Sequence, residues 1–463
     1  MDYSKNKFLS HFVALLPYIF FLIMGHALNR SHGFLKFNHL CFITISLILY
    51  CIFYLKQPRK INLNYSKILS LIWLIFSIFL VLSPGLIYPQ NIPQLLVLKI
   101  ILLIICAFAA LTNYSYFIRP IKFVINNFSI IFFVSIFLYI ITYILVLFIT
   151  KHPTIDVFTV TSIGADNLLN GLNPYTQNYP DILEGRYGYV AGYVYWPVIL
   201  YVLTITKFIF HDVRAAYIIC ALITIFLLEK IGKQFNVAPT KRQLIILCWQ
   251  SFPVTLFVLE QSWTEYLIIV ETITIIFFLI NKKIFISGII LGIMAATKQY
   301  NIFLILFLLI YIYKIYSLKQ TITIIATALT TFILLISPFF ILDYKTFLNR
   351  TIFDMLAYNL RVDALSWPAY VNHFYGIVPT GIFYATIYSL CLLLFVTRCL
   401  RQKQMSLFHL CSTIFCVYLV VFLFGKQAFC NYYYLSAFYL LLIILFQNSD
   451  SKKTNPTCCQ EIV

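Results

Sequence analysis

Long apolar runs separated by short polar breaks organise this chain. The runs predict helices at about 8–25, 38–55, 66–87, 94–112, 126–150, 193–210, 213–229, 242–259, 265–281, 284–297, 301–314, 320–341, 374–396, 406–424 and 432–447. Many come close to the roughly 20 apolar residues that a bilayer crossing takes. One stretch breaks the rhythm. Residues 151–197, KHPTIDVFTVTSIGADNLLNGLNPYTQNYPDILEGRYGYVAGYVYWP, are polar and aromatic between hydrocarbon-loving flanks. They hold Asp156, Asp166, Asp181 and Glu184 in a chain with only 15 acidic residues. Scarce carboxylates gathered in one place point to chemistry or binding there.

Local signals divide the stretch. SIGADNLLNG predicts a short helix from Gly164 or Ala165 to Asn170, closed by Gly171. Asn173-Pro174-Tyr175 predicts a turn. Tyr187, Tyr189, Tyr193, Tyr195 and Trp196 then lead into Pro197. Such aromatics favour the headgroup level, and they also stack on sugar faces. For any single tyrosine the belt reading is at least as good.

Composition confirms the class. Hydrophobic residues are 62% of the chain and charged residues 10%, where a soluble globule is nearer half and a quarter. The net charge of +18 raises the question of nucleic acid. The Lys and Arg residues are scattered through short loops, with no basic stripe or RNA-binding motif, so no nucleic-acid partner is expected. The 12 cysteines form no disulfide framework, since most lie inside apolar runs. Cys458 and Cys459 lack the histidine partners and spacing of a zinc site, and no residue is assigned to a metal. MDYSKNK followed by LSHFVALLPYIFFLIMG is expected to be a first membrane helix without a cleavage site.

The basic residues orient the runs. Lys5 and Lys7 place the N-terminus in the cytoplasm, with Lys56, Arg59, Lys60, Lys67, Arg119 and Lys122 also inside. Run 126–150 then travels outward. Counting back from Lys452 and Lys453 puts Arg398, Arg401, Lys403, Lys314, Lys319, Lys282, Lys283, Lys230, Lys233, Lys241 and Arg242 inside. The two counts conflict if 193–210 crosses the bilayer. They agree if WPVILYVLTITKFIF lies in the interface. The expected fold is therefore an all-α polytopic membrane protein of about fourteen transmembrane helices. It has a large extracytoplasmic loop, 151–212, containing interfacial helices, and a second outer loop at 342–373. The parts are an N-terminal four-helix membrane segment (1–125), a core (126–315) and C-terminal membrane helices (316–463). Both termini are expected in the cytoplasm and the location is a plasma membrane, the inner one of a bacterium.

Several residues stand out against this background. Asp156 directly follows an outward helix, where it is a helix cap, a solvated charge or a base. Lys298, in Ala-Ala-Thr-Lys-Gln-Tyr at 295–300, opposes the positive-inside trend. There it either snorkels or neutralises a phosphate at the outer headgroup level. Gly288 and Gly292 before it permit close helix packing. Lys426 and Gln427 fall in a short outer turn, and Lys426 is a second candidate for a phosphate. Glu260 and Glu265 bracket another outer turn. Glu271, about 9 Å further along the same helix, needs a partner if it faces the bundle. Loop 342–373 mixes Asp343, Arg350, Asp354, Arg361, Asp363, Trp367 and His373 without a recognisable motif.

In this order the residues resemble the GT-C superfamily of membrane glycosyltransferases, which use polyprenyl-phosphate sugars. An outward helix leads to an acid early in the first large outer loop, Asp156. Asn167-Leu-Leu-Asn-Gly-Leu-Asn-Pro-Tyr175 is similar to the leucine-rich, Gly-x-x-Pro-Tyr stretch of bacterial, mannosyltransferase-like members. Tyr195-Trp196-Pro197, His211-Asp212-Val-Arg214 and the run from Gly288 to Lys298 follow. The resemblance covers roughly residues 126–315. Two features depart from it. Four runs precede the outward helix, and Asp156 is followed by Val157 where the family often shows two adjacent acids.

The resemblance implies inverting transfer from a lipid-linked sugar donor to a hydroxyl on a glycan, lipid or protein acceptor. Asp156 would be the base, with Asp166 in reserve. Lys298 would meet the phosphate, and Lys426, Gln299, Tyr175, Tyr195 and Trp196 would bind substrate. No resident cofactor is implied, because the polyprenyl-phosphate sugar is a substrate; use of a divalent metal stays open. Two other classes compete. An O-antigen-type polymerase or ligase tends to carry Arg- and His-rich outer loops. A lipid-linked-sugar flippase or transporter predicts buried mid-span charges and repeat symmetry.

Overall fold

The computed structural model describes residues 2–54, 64–83, 86, 93–114, 128–182, 184–185 and 192–447. Lys56, Arg59, Lys60, Arg119, Lys122, Arg186, Tyr187, Tyr189, Lys452, Lys453, Cys458 and Cys459 lie outside the described residues. The helices in chain order are α1 (Asp2–Ser31), α2 (Phe37–Tyr54), α3 (Tyr65–Leu82), α4 (Pro93–Tyr114), α5 (Phe128–Ile149), α6 (Asp156–Leu169) and α7 (Pro197–Phe210). Then come α8 (Ala215–Gln234), α9 (Pro239–Gln250), α10 (Thr255–Glu260), α11 (Glu265–Ile280), α12 (Ile284–Ala295) and α13 (Asn301–Ile315). The last are α14 (Leu318–Leu348), α15 (Asp354–Ala357), α16 (Trp367–Tyr375), α17 (Gly381–Arg401), α18 (Leu407–Leu423) and α19 (Cys430–Phe446). Among the described residues, seven helices are long and apolar enough to cross a membrane. Six further apolar helices are shorter, at 10–17 residues.

Burial sorts the helices. Tyr433 to Leu445 of α19 are all buried, and a helix that is apolar all round and buried all round is the heart of a bundle. In contrast, Ile322, Leu329, Ile333 and Leu334 of α14 and Leu390, Leu393 and Leu394 of α17 are exposed. Those two helices present an apolar face outward, as a helix bathed in lipid does. Helix α12 packs flat against α14. A Cβ on Gly292 would stand 2.5 Å from the Ala328 carbonyl oxygen, so the approach depends on glycine there.

Three details differ from the pattern of apolar runs. The run expected at 242–259 is two helices, α9 and α10, parted around Pro253, which has no N–H to donate and disfavours helix at Phe252 before it. The short helix expected from Gly164 or Ala165 begins at Asp156 instead. Its end is as expected: Leu172 N–H donates to the Asn167 carbonyl (2.8 Å) and Gly171 takes φ +73°. Loop 342–373 is largely helical. The helix breaks at Asp343 (φ −160°, ψ 83°), whose Oδ1 accepts the Thr346 N–H at 3.0 Å and restarts it. A π turn over Asn349–Phe353 and then α15 follow.

The long excursion between α5 and α8 returns to its starting point. Arg214, at its far end, is fully buried and donates to Thr150 Oγ1 (2.8 Å) and the Leu147 carbonyl (3.4 Å) at its near end. Asp212 grips the same guanidinium at 2.6 Å, and the Phe158 ring lies 5.0 Å from it. Inside the excursion, Lys207 of α7 reaches Asp166 of α6 at 2.5 Å and Ser162 Oγ at 2.8 Å. These contacts tie the last turns of α7 to α6.

Candidate functional site

Five chain segments meet at that end of the bundle. Leu35 N–H donates to the Asp363 carbonyl (2.9 Å), Leu365 N–H to the Ala428 carbonyl (3.0 Å), and Arg361 N–H to the Lys426 carbonyl (3.0 Å). Val198 N–H donates to the Ala296 carbonyl at 3.1 Å. These backbone bonds tie together turns that are far apart in sequence. Between them lies a cavity of about 560 Å³. Asp156, Tyr195, Lys298, Arg361 and Asn431 are among the residues that line it.

Asp156 enters the wall as the first residue of α6. Its Oδ1 accepts the Val157 N–H at 2.8 Å. A carboxylate at this place faces the positive end of the helix dipole. The helix start thus sets the Asp156 carboxyl group in the cavity lining.

Lys298 reaches the wall from the corner between α12 and α13. The corner is braced by Asn301 Nδ2, which donates to the Met294 carbonyl at 2.8 Å. It is braced again by Thr297, whose hydroxyl donates to Glu271 Oε1 at 2.5 Å. Lys298 is 6% exposed. Its ammonium donates to Glu265 Oε1 (2.7 Å) and Thr264 Oγ1 (2.9 Å). The rings of Tyr195, Tyr300 and Tyr432 surround it at 5.7, 5.1 and 5.7 Å, which suits a cation. Glu265 is completely buried, and its Oε1 also accepts Tyr300 OH and Asn431 Nδ2, each at 2.8 Å. Those charge-assisted bonds offset the desolvation of the pair.

The tyrosines around the cavity stay neutral. Burial, then the charges of Asp156 and Glu265, holds the Tyr195 hydroxyl well above its ordinary range. Burial, then Asp354 and Asp156, pushes Tyr358 up to about 12. They are therefore hydroxyl donors and acceptors, not bases.

No protein-family model, curated protein or solved structure matches this chain. The site stands on its own geometry.

That geometry gathers Asp156, Tyr195 and Lys298 into one cavity, and leaves Asp166, Tyr175, Trp196, Gln299 and Lys426 outside its lining. Asp166 is half exposed and paired with Lys207 at the far end of α6. Tyr175 is buried among Tyr193, Phe339 and Phe347, with ring centroids 5.4, 5.0 and 4.9 Å away, and donates to the Tyr195 carbonyl at 2.9 Å. Trp196 packs on Phe332 and Phe347. Gln299 donates to the Val194 (2.9 Å) and Thr351 (2.7 Å) carbonyls, fastening the excursion to the π turn. Lys426 donates to the carbonyls of Leu356 (3.0 Å) and Tyr358 (3.2 Å), which end α15.

Two participants received no individual role from the sequence. Glu265 was visible only as a charge in an outer turn; nothing local announces its pairing with a lysine on another helix corner. Arg361 sat in a loop without a motif. In the structure it lines the cavity, bonded to Asp363 through two 2.9 Å contacts and stacked 4.7 Å from the Phe429 ring.

Proposed function

We propose that this protein is a polytopic membrane glycosyltransferase of the GT-C kind, with about fourteen spans and an outward-facing site. It moves a sugar from a polyprenyl-phosphate donor to an acceptor hydroxyl. The observation that carries this reading is the convergence of Asp156 and Lys298, from separate parts of the chain, on one cavity of about 560 Å³. A carboxylate and a cation across a cavity suit displacement at an anomeric carbon. Asp156 takes the proton of the acceptor hydroxyl while its oxygen bonds to the anomeric carbon. The bond from that carbon to the phosphate oxygen breaks, and the phosphate leaves with the electron pair. Lys298 offsets the charge that develops there.

Helix α7 fits this arrangement as an interfacial element. Ile205, Phe208, Ile209 and Phe210 are exposed on one side, while Ile199, Leu200 and Leu203 are buried on the other. An exposed apolar row of this kind calls for lipid cover.

The test is a transfer assay in membranes with a panel of polyprenyl-phosphate sugars. Wild type should transfer at least one, and Asp156→Asn should lower that rate by about 10²–10⁴-fold at unchanged expression. Full activity in Asp156→Asn removes the residue from the reaction. Labelling of cysteines introduced at 160–182 only from the cytoplasm overturns the orientation.

A further inference from the structure

Lys298 is not an idle cation waiting for an anion. Its charge is already met by Glu265, which is the more deeply buried of the two. Glu265 concentrates its bonds on one oxygen: Lys298, Tyr300 and Asn431 all donate to Oε1. The other oxygen, Oε2, is buried with no hydrogen-bond partner. A carboxylate satisfied on one side only is held in place by its lysine and not by a full set of donors. The ammonium has further support of its own, from Thr264 Oγ1 and the three tyrosine rings. The lysine thus keeps its position by contacts that do not involve the glutamate. The glutamate's charge works on whatever else the lysine meets.

We infer that Glu265 is a tuning residue, an internal anion that competes with a phosphate bound at Lys298 and so speeds its release. The inference rests on the reading of Lys298 as the phosphate partner. When a phosphate enters the cavity and contacts the ammonium, the Glu265 carboxylate lies one lysine headgroup away. Two anions on one cation in a buried site repel each other, because little water screens them. The phosphate therefore binds more weakly than a lone buried lysine would hold it. An enzyme whose product is itself a lipid phosphate benefits from this, since product held too tightly limits turnover. The other charges near the cavity do not replace this role. Arg361 is bonded to Asp363, Arg350 to Asp354 at 3.2 Å, and Asp156 stands on a separate helix, at the start of α6.

The experiment uses the full chain in detergent with farnesyl phosphate as the probe, its affinity measured by calorimetry. Glu265→Gln keeps an oxygen for Tyr300 and Asn431 and removes the charge. It should tighten farnesyl phosphate binding about tenfold or more, an effect of the size seen for close buried charges. In the transfer assay KM and kcat should both fall, a split that a merely loosened fold does not give. Glu265→Asp draws the carboxylate back by one methylene and should tighten binding less; it serves if the Gln variant does not fold. In the Lys298→Gln background the gain from Glu265→Gln should vanish. Unchanged or weaker binding in both Glu265 variants, with wild type binding the probe, overturns the tuning role and leaves the phosphate reading standing. No binding by wild type overturns both.

Discussion

Two walls of the same cavity are built on different principles. The wall from α10 to α13 is dry: Lys298 and Glu265 have side chains 7% and 0% exposed. The wall from Met355 to Asp363 is wetter: the side chains of Arg361 and Asp363 are 14% and 29% exposed, and those of the neighbouring pair Arg350 and Asp354 are 20% and 31%. Both walls carry ion pairs, so sequence chemistry alone ranks them together. Burial separates them. A buried pair is costly to make and costlier to halve, while a partly exposed pair is worth little either way. The dry wall holds its charges away from water, and the wet wall leaves its own partly solvated.

The largest effect that tests this contrast is on the dry wall. Lys298→Ala leaves Glu265 buried without a counter-charge and should cost about 3–5 kcal/mol. Thermal unfolding in detergent measures it; a shift no larger than that of Arg361→Ala breaks the contrast. Next comes the support behind that wall. Gly292→Val drives a side chain at the Ala328 backbone carbonyl and should cost about 1–3 kcal/mol, seen again as a lowered unfolding temperature. On the wet wall, Lys426→Met removes the bonds to the Leu356 and Tyr358 carbonyls and should cost about 1 kcal/mol. Faster proteolysis between 355 and 363, with the rest of the chain resistant, would place that loss in the wet wall. Asp363→Asn should change stability by about 0–1 kcal/mol, and raised salt should shrink even that. The smallest change is expected far from both walls. Asp166→Asn, at a half-exposed pair, should stay within about 0.5 kcal/mol in the same unfolding measurement.

Much of the bundle was legible in the chain because apolar run length reports helix length directly. Runs at 265–281, 301–314 and 406–424 became α11, α13 and α18 within a residue or two. The break at Pro253 was overlooked because the apolar run continues through it, although the proline is itself the signal. The early start of α6 was missed for a different reason. Val157, Phe158 and Val160 are β-branched or aromatic, weak helix formers by themselves, and their packing in the excursion overrides propensity. The site divided along the same line. Asp156 and Lys298 could be seen as charges out of place at helix ends. The Glu265 pairing could not, since it joins two helix corners that only the folded bundle brings to 2.7 Å. Tyr175 and Trp196 looked like sugar platforms because an aromatic cluster has the same composition whether it faces a ligand or a core.

The knot between Arg214 and Thr150 has a consequence for how this molecule could diversify. With its two ends fastened at 2.8 Å, the segment between them is anchored like a cartridge in a socket. Residues can be gained or lost within it without redirecting the helices before and after, and the entropic penalty of extra length grows only logarithmically. One edge of the cavity belongs to that cartridge and the lysine belongs to the socket. That edge of the cavity could therefore be reshaped by exchanging the one while the buried ion pair of the other is inherited unchanged.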